Sequence, residues 1–166
     1  MKNFKIISGG QTGVDIAALI AAKEMGINTG GHMPAGFTNH DGKHPEYAKL
    51  YGMEETFSIA YPPRTALNVK NSDATIRIAA NFESAGEVLT LKMINQYNKP
   101  YFDVSVFDEN IKPVDVAKWI FDNNFKVINI AGNSEKTCPN ISDFAKVFVI
   151  KIIEELKKLW ATNQEL

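Results

Sequence analysis

The feature that most constrains the fold is a glycine-rich turn between a short apolar run and an amphipathic segment near the N-terminus. Residues 4–8 are β-prone, and Gly9 and Gly10 follow at once, which predicts a buried strand ending in a tight turn. From residue 14 to residue 25 the apolar side chains recur at helical spacing, and Gly26 stands where a helix C-cap glycine is common. The opening therefore predicts strand, glycine turn and helix, the first unit of an α/β fold.

The rest of the chain repeats this alternation. Apolar β-prone runs predict strands at residues 73–79, 101–106 and 126–131, and helical periodicity predicts helices at 84–96, 114–121 and 141 to about 160. Strands that alternate with helices form a mostly parallel sheet with helices on both faces. We expect residues 1–166 to form a single doubly wound, Rossmann-like α/β domain, since 166 residues suit one domain.

One segment, residues 30–63, shows no sustained period and predicts at most one helical turn near residues 46–51. It is rich in Gly, Pro, His and Tyr. Connections of this length are unusual in a compact domain and are often functional. We expect the segment to cover a ligand site. A floppy insertion is the alternative, which its aromatic residues argue against.

Composition sets the environment. The formal net charge of -1 gives no long-range attraction to nucleic acid or anionic membranes. Cys138 is the only cysteine, which excludes an intrachain disulfide and suits a reducing cytosol. No apolar run approaches the ~20 residues that span a bilayer. We expect a soluble, cytoplasmic protein without nucleic-acid or membrane partners.

The predicted fold points to one crevice, because ligands of open α/β sheets bind beyond the C-terminal ends of the strands. Three glycine-bearing turns fall at such ends. In the first, a helix N-terminus offers unpaired N–H groups to a phosphate, and an acidic residue in its first turn can cap the helix or orient a ligand hydroxyl. The alternative is a tight turn with a purely structural role. The predicted ligand-binding residues are Ser8, Gly9, Gly10, Gln11, Thr12, Gly13 and Asp15 in the first turn, Gly86 and Glu87 in the second, and Gly132, Asn133 and Ser134 in the third.

Other familiar motifs are absent from the sequence. No Gly-Lys-Ser/Thr follows the first turn, so it is not a Walker loop, and it is not the G-x-G-x-x-G dinucleotide fingerprint. Hydride transfer with NAD is therefore not favoured. His40, Asp41 and His44 do not predict a metal site, because no helix fixes their spacing and a fourth ligand is not evident.

Three further residues are candidates for the site. His32 follows a predicted second strand and suits anion contact or acid/base work near neutral pH. Arg64 suits bidentate phosphate binding, or an ordinary carboxylate pair. Asn68 either contacts the ligand or ties the long segment to the sheet. Tyr61 and Phe37 suit stacking on a base, or pinning that segment to the domain.

A set of short stretches along nearly the whole chain matches one known family. They are residues 8–15 with 17–19, Gly30-Gly31 with Pro34 and Gly36, Arg64-Thr65, Asn68-Val69, residues 72–75, Gly86 with 89–91, Lys99-Pro100, and residues 129–132 with Ser134-Glu135. In these stretches the chain resembles the molybdenum-cofactor carrier protein family. The resemblance implies a Rossmann-like fold, a nucleotide or pterin-nucleotide pocket and a homo-oligomer, dimer or tetramer.

The same wide Rossmann-like group includes phosphoribohydrolases, whose second phosphate loop reads G-G-x-G-T-x-x-E with a catalytic Glu. Here Thr90 stands where that Glu falls, and Glu87 occupies the threonine position. A carboxylate there weakens phosphate binding, accepts a ribose hydroxyl, or serves as a displaced general base.

Three functions follow from these residues. The favoured one is binding of a small phosphorylated, nucleotide-like ligand, which the carrier resemblance identifies as molybdenum cofactor. The second is a nucleotide N-glycosidase with Glu87 or His32 as acid/base, and the third is a sensor that binds a nucleotide signal without turnover. No cofactor or metal is required by the sequence itself.

Overall fold

The computed structural model describes residues 3–163, so the predicted domain limits at residues 1 and 166 lie outside the described residues. The strands are β1 (Lys5–Ile7), β2 (Asn28–Met33), β3 (Thr38–Asn39), β4 (Gly42–Lys43), β5 (Met53–Glu55), β6 (Ala74–Ala79), β7 (Tyr101–Ser105) and β8 (Val127–Gly132). The helices are α1 (Val14–Glu24), α2 (Glu46–Tyr51), α3 (Tyr61–Lys70), α4 (Ala85–Gln96), α5 (Pro113–Asp122) and α6 (Ile141–Thr162).

Six strands form one parallel sheet in the order β5-β2-β1-β8-β6-β7, which confirms the α/β fold class. β3 and β4 form a separate antiparallel hairpin. The chain first builds outward from β1 through β2 to β5. It then crosses to β6 and β7, and β8 finally fills the place between β1 and β6. The order therefore changes direction around β1, β8 and β6, and their C-terminal ends share one edge.

Strand β6 shows how helices cover both faces of the sheet. All six of its residues are buried, and alternate side chains point to opposite faces. Ala74, Ile76 and Ile78 join the main apolar core with residues of α1, α5 and α6. Arg77 faces the other side, where its guanidinium donates to the backbone carbonyl of Glu87 on α4. A smaller apolar cluster of α3 and α4 covers that second face.

The segment at residues 30–63 is more regular than its sequence predicts. It contains the end of β2, the β3–β4 hairpin, α2, β5 and the start of α3. Only the short helix at residues 46–51 lies where the sequence places one. α3 was not predicted: it begins at Tyr61, and Pro62 and Pro63 occupy its first turn, where proline is favoured since those N–H groups have no helical partner. Arg64 is consequently a helical residue instead of a loop residue.

No helix within residues 3–163 has the length and apolar character needed to cross a membrane.

A candidate ligand cleft at the C-terminal edge of the sheet

A cleft of about 410 Å³ opens where the loops after β1, β6 and β8 meet the start of α3. This is the edge at which the strand order changes direction, where open α/β sheets bind ligands. The volume lies in the range of ordinary small-molecule sites. The lining residues are Gln11, Asp15, His40, Tyr61, Pro62, Arg64, Thr65, Ser84, Ala85, Gly86, Glu87, Leu89, Thr90, Ala131, Gly132, Asn133, Ser134, Lys136 and Thr137.

In the turn before α1, three N–H donors bind acceptors of the protein itself. The Gln11 amide donates to Asp15 Oδ2 at 3.4 Å, the Thr12 amide to Gln11 Oε1 at 2.9 Å, and the Val14 amide to the Asn133 carbonyl at 3.2 Å. Ser8 is buried, and its hydroxyl donates to the Ile130 carbonyl at 2.6 Å. The amides of Gln11, Thr12 and Val14 are therefore bound within the protein.

The glycines of this turn lie close to groups from other parts of the chain. A Cβ on Gly9 would overlap the Arg64 guanidinium, and one on Gly10 would lie 2.6 Å from Met33 Sδ. Gly13 has a φ of +84° and lies against the backbone of the β8–α6 loop, where a Cβ would overlap the Asn133 carbonyl oxygen. Glycine at these three positions allows side chains and backbone to close over the turn.

The N-terminus of α4 is open by contrast. Its first helical hydrogen bond runs from the Val88 amide to the Ser84 carbonyl, and the amides of Ala85, Gly86 and Glu87 precede it. No side chain among the described residues caps these donors, and a Cβ on Gly86 would meet no atom within 4 Å. Unpaired amides and the positive end of the helix dipole thus face the cleft.

Asn133 holds this open terminus in place. Its Oδ1 accepts the amides of Ala80 and Asn81, each at 2.9 Å, and its Nδ2 donates to the Asn81 carbonyl at 2.9 Å and to Ser84 Oγ at 3.2 Å. The side chain is buried, with 2% of its residue surface exposed. One asparagine after β8 therefore fixes the loop between β6 and α4.

On the opposite wall, Arg64 and Asp15 form an ion pair of 3.1 Å between Nη1 and Oδ2. Asp15 is 3% exposed, and its burial raises the pKa of this carboxyl above its ordinary value, although Arg64 opposes the shift. Arg64 Nε is buried and has no hydrogen-bond partner among the described residues. The arginine therefore has donor capacity beyond its pair with Asp15.

Glu87 lies in the first turn of α4, directly after the open amides, and is 2% exposed. Its Oε2 is 3.9 Å from Arg77 Nη1 and has no hydrogen-bond partner among the described residues. Arg77 binds Asp103 on β7 through two bonds of 2.8 and 2.6 Å. Burial raises the pKa of the Glu87 carboxyl to about 7, although Arg77 pulls it down. The Glu87 carboxyl therefore changes between its neutral and its ionised form near neutral pH.

Gln11 joins the cleft to the hairpin above it. Its Oε1 accepts the His40 amide at 3.0 Å, and its Nε2 donates to the Tyr61 hydroxyl at 3.0 Å. His40, at the hairpin tip, meets the Tyr61 ring edge-on at 6.3 Å between centroids, and the Arg64 guanidinium lies 5.5 Å from the same ring. The hairpin therefore covers one side of the cleft, and Tyr61 presents an aromatic surface there.

Seven predicted site residues do not line the cleft: Ser8, Gly9, Gly10, Thr12 and Gly13 of the first turn, and His32 and Asn68. His32 pairs with Glu54 at 3.7 Å on the β2–β5 side of the sheet. Asn68 uses its side-chain amide to bind the backbone of His32 twice, accepting its N–H at 2.8 Å and donating to its carbonyl at 3.1 Å. Asn68 thus ties α3 to β2, and neither residue lines the cleft.

Several residues of this region were not predicted from the sequence. Ser84, Lys136 and Thr137 line the cleft, and nothing in their sequence context marks them. Arg77 could have been found, because a single cation within an otherwise apolar strand requires a buried partner. Glu135, a position shared with the carrier family, caps α6 through the amides of Asn140 and Ser142. No group of three or more metal-binding side chains occurs within residues 3–163.

Comparisons with known proteins agree with this architecture. A family model described as the circularly permutated YpsA SLOG family matches residues 6–153. A crystal structure at 1.45 Å resolution of a "putative molybdenum carrier protein" from Syntrophus aciditrophicus SB is 33% identical, with a TM-score of 0.77, covering 92% of this chain and 93% of that one. No curated protein matches the chain. Since the family model spans most of its length, the chain belongs to the circularly permutated YpsA SLOG family.

Proposed function

We propose that this protein binds a small phosphorylated, nucleotide-like ligand in the cleft, with the phosphate at the N-terminus of α4. The observation that carries this proposal is the group of unpaired amides at Ala85, Gly86 and Glu87, which open into the cleft without a capping side chain. A helix N-terminus of this kind binds phosphate through its N–H groups and its dipole. The turn before α1 is less suited to this role, since the amides of Gln11, Thr12 and Val14 are already bound.

The other walls suit the rest of such a ligand. Arg64 has an unpartnered Nε, and Lys136 adds a second cation at the rim. Tyr61 offers an aromatic face to a planar ring, while its hydroxyl is held by Gln11. A cleft with a few polar groups at one end and an aromatic surface at the other is typical of small-molecule sites. Binding of a phosphate with an attached ring is therefore the simplest use of these groups.

The Syntrophus relative supports molybdenum cofactor as one identity of the ligand. The phosphate of a pterin cofactor fits the amides of α4, and Arg64 and Lys136 suit its charge. The lining residues include no cysteine, and Cys138 lies outside them. The protein would therefore hold this group by its phosphate and ring. When bound, molybdenum cofactor would supply the chemistry of its metal.

A second function, nucleotide N-glycosidase, is favoured by one observation. Glu87 lies in the cleft with a pKa of about 7, which suits a general acid/base at neutral pH. Cleavage by water would convert a nucleoside monophosphate into free base and ribose phosphate. We expect binding without this cleavage, because Glu87 does not occupy the position of the catalytic Glu in the phosphoribohydrolase signature.

The test is thermal unfolding against AMP, ADP-ribose, a cyclic nucleotide, inorganic phosphate and molybdate, with chromatography of each mixture afterwards. A ligand at about a hundred times its Kd stabilises by about 2.7 kcal/mol, which raises Tm by roughly 5–10 °C. Intact ligand supports binding, and released base supports the glycosidase.

A variant tests the position of the phosphate. Gly86→Asp places a carboxylate at the open amides and should abolish the Tm increase while α4 is retained, because acidic residues suit a helix N-terminus. Asn98→Asp adds the same charge beyond the other end of α4 and should keep the response. An unchanged response in Gly86→Asp would place the phosphate elsewhere and contradict the proposal.

A further inference from the structure

We infer that the ligand of this cleft carries an intact sugar diol beside its phosphate, and that Glu87 selects for it by accepting a hydrogen bond from one of the hydroxyls. This specificity rests on the proposed function and deepens it from a phosphorylated ligand to a ribose phosphate. Three observations support it: the position of Glu87 in the first turn of α4, the lack of a hydrogen-bond donor to its Oε2, and the hydrogen bonds already made by Asp15.

The position of Glu87 places it beside the proposed phosphate site. It follows Ala85 and Gly86 in the first turn of α4, so its side chain and the open amides belong to the same helical turn. Both groups line the same cleft. A ribose that joins the phosphate to a base would bring its hydroxyls to this carboxylate.

The missing partner indicates a ligand donor. Oε2 of Glu87 is buried without a hydrogen bond from any described residue. Arg77 is too far for one, at 3.9 Å, and its other donors bind Asp103 and the Glu87 carbonyl. Buried polar atoms without partners are rare in folded proteins, so an orphaned acceptor at a cleft wall calls for a donor. Because the adjacent amides take up an anion, a neutral hydroxyl is the donor that fits beside it.

The neighbouring carboxylate is already engaged. Asp15, which also lines the cleft, has its Oδ2 bound by the Gln11 amide and by Arg64. The Thr90 hydroxyl donates to the Gly86 carbonyl at 2.9 Å. Among the described residues, Glu87 is the acidic side chain of the cleft with a buried oxygen that has no hydrogen-bond partner.

Four charged groups face Glu87: Arg77 on β6, Asp103 on β7, Asp15 on α1 and Arg64 on α3. The two arginines favour its ionised form and the two carboxylates disfavour it. A sugar hydroxyl donates best to the ionised carboxylate, so the preference for an intact diol should increase as the pH rises through about 7. The ionisation of the phosphate is shared by ligands that differ in one hydroxyl, and it cancels from their affinity ratio.

The experiment compares the affinities of AMP, 2′-deoxy-AMP and 3′-deoxy-AMP by calorimetry at pH 6 and pH 8, with ribose 5-phosphate and inorganic phosphate as probes without a base. At pH 8 we expect at least one deoxy compound to bind about tenfold to a hundredfold more weakly than AMP, as for a lost hydrogen bond to a charged group. At pH 6 this ratio should shrink. In Glu87→Gln the ratio should fall to a few fold and lose its pH dependence, while Glu83→Gln, in the exposed loop before α4, should keep both.

The outcomes separate the two proposals. Equal affinities of AMP and both deoxy compounds at pH 8 overturn the role of Glu87 but leave phosphate binding intact. A pH-dependent ratio that persists in Glu87→Gln does the same. Failure of all five probes to bind overturns the proposed function, and the sugar specificity with it. The wild-type series alone decides the matter if the Gln variant does not fold.

Discussion

The two helix N-termini at this edge of the sheet differ in what meets them. At α1 the preceding turn is rich in glycine, yet its amides bind Asp15, Gln11 and the Asn133 carbonyl. At α4 the turn contains one glycine, and its amides have no partner among the described residues. The turn with several glycines therefore has amides bound by the protein, whereas the turn with one glycine has unbound amides.

The difference teaches that a glycine-rich turn reports close approach without saying what approaches. At Gly9 and Gly13 the approaching groups are Arg64 and the β8–α6 backbone. At Gly86 the structure holds no atom within 4 Å of the missing Cβ. Glycine at α1 therefore serves packing, whereas glycine at α4 leaves space in the cleft.

The largest loss of stability is predicted for a substitution in the turn before α1. Gly13→Ala forces an L side chain to a φ of +84° and into the Asn133 carbonyl, and should lower the free energy of unfolding by about 4 kcal/mol. The corresponding fall in Tm is about 10 °C. Urea denaturation measures the loss in free energy of unfolding, and thermal unfolding measures the fall in Tm. Gly26→Ala is the control, since Gly26 has a similar φ of +72° and no neighbour within 4 Å, so it should lose only about 1 kcal/mol. Equal losses in both variants would show that crowding at Gly13 is unimportant.

An intermediate effect on stability is predicted from the ionisation of Glu87, in the first turn of α4. Since the pKa of Glu87 is raised from 4.5 to about 7, its contribution to stability is fully present below about pH 4.5 and is lost as the pH rises through 7. Glu87→Gln lacks this titration. The free energy of unfolding of the variant, relative to wild type, should therefore increase by about 2 kcal/mol between pH 5 and pH 8.

Urea denaturation at a series of pH values follows this difference. Glu83→Gln should run parallel to wild type, because Glu83 is exposed. If Glu87→Gln also ran parallel, the carboxyl would be ionised throughout, and the account of its burial would be wrong.

The smallest effect on stability comes from the open turn itself. Gly86→Ala adds a methyl group to empty space, so the free energy of unfolding should change by less than about 0.5 kcal/mol. The same methyl group should weaken binding of a phosphate-bearing probe about tenfold, because it occupies the approach to the amides. Thermal unfolding with and without AMP measures both quantities. A loss of stability like that of Gly13→Ala would remove the contrast between the two turns.

Much of the fold could be predicted because its strands and helices are regular. Helix α4 begins at Ala85 and strand β6 at Ala74, each within one residue of the prediction, since buried strands and amphipathic helices leave a clear period. Helix α3 left no such signal. Its first turn is Tyr61-Pro62-Pro63, which looks like a helix breaker unless the helix is known to start there.

The structure has a cleft at the edge of the sheet where the sequence predicts a site, but the bound and unbound amides around it could not be told apart from the sequence. Which amides at Gly10–Gly13 and at Gly86 bind internal acceptors depends on side chains far along the chain, such as Arg64 and Asn133. Their approach is set by the strand order, which a single sequence does not give. His32 illustrates the same limit, because it lies within β2, where it pairs with Glu54, and it does not line the cleft.

The place of β8 in the sheet has a consequence for the order in which the protein is made. β1, β2 and β5 form one half of the sheet and β6 with β7 the other, and only β8 pairs with both halves. On the ribosome the two halves stay unjoined until residues 127–132 have emerged. Asn133, which binds the turn of α1 and the loop before α4, follows β8 directly. A nascent chain therefore has no cleft until most of its length has been synthesised.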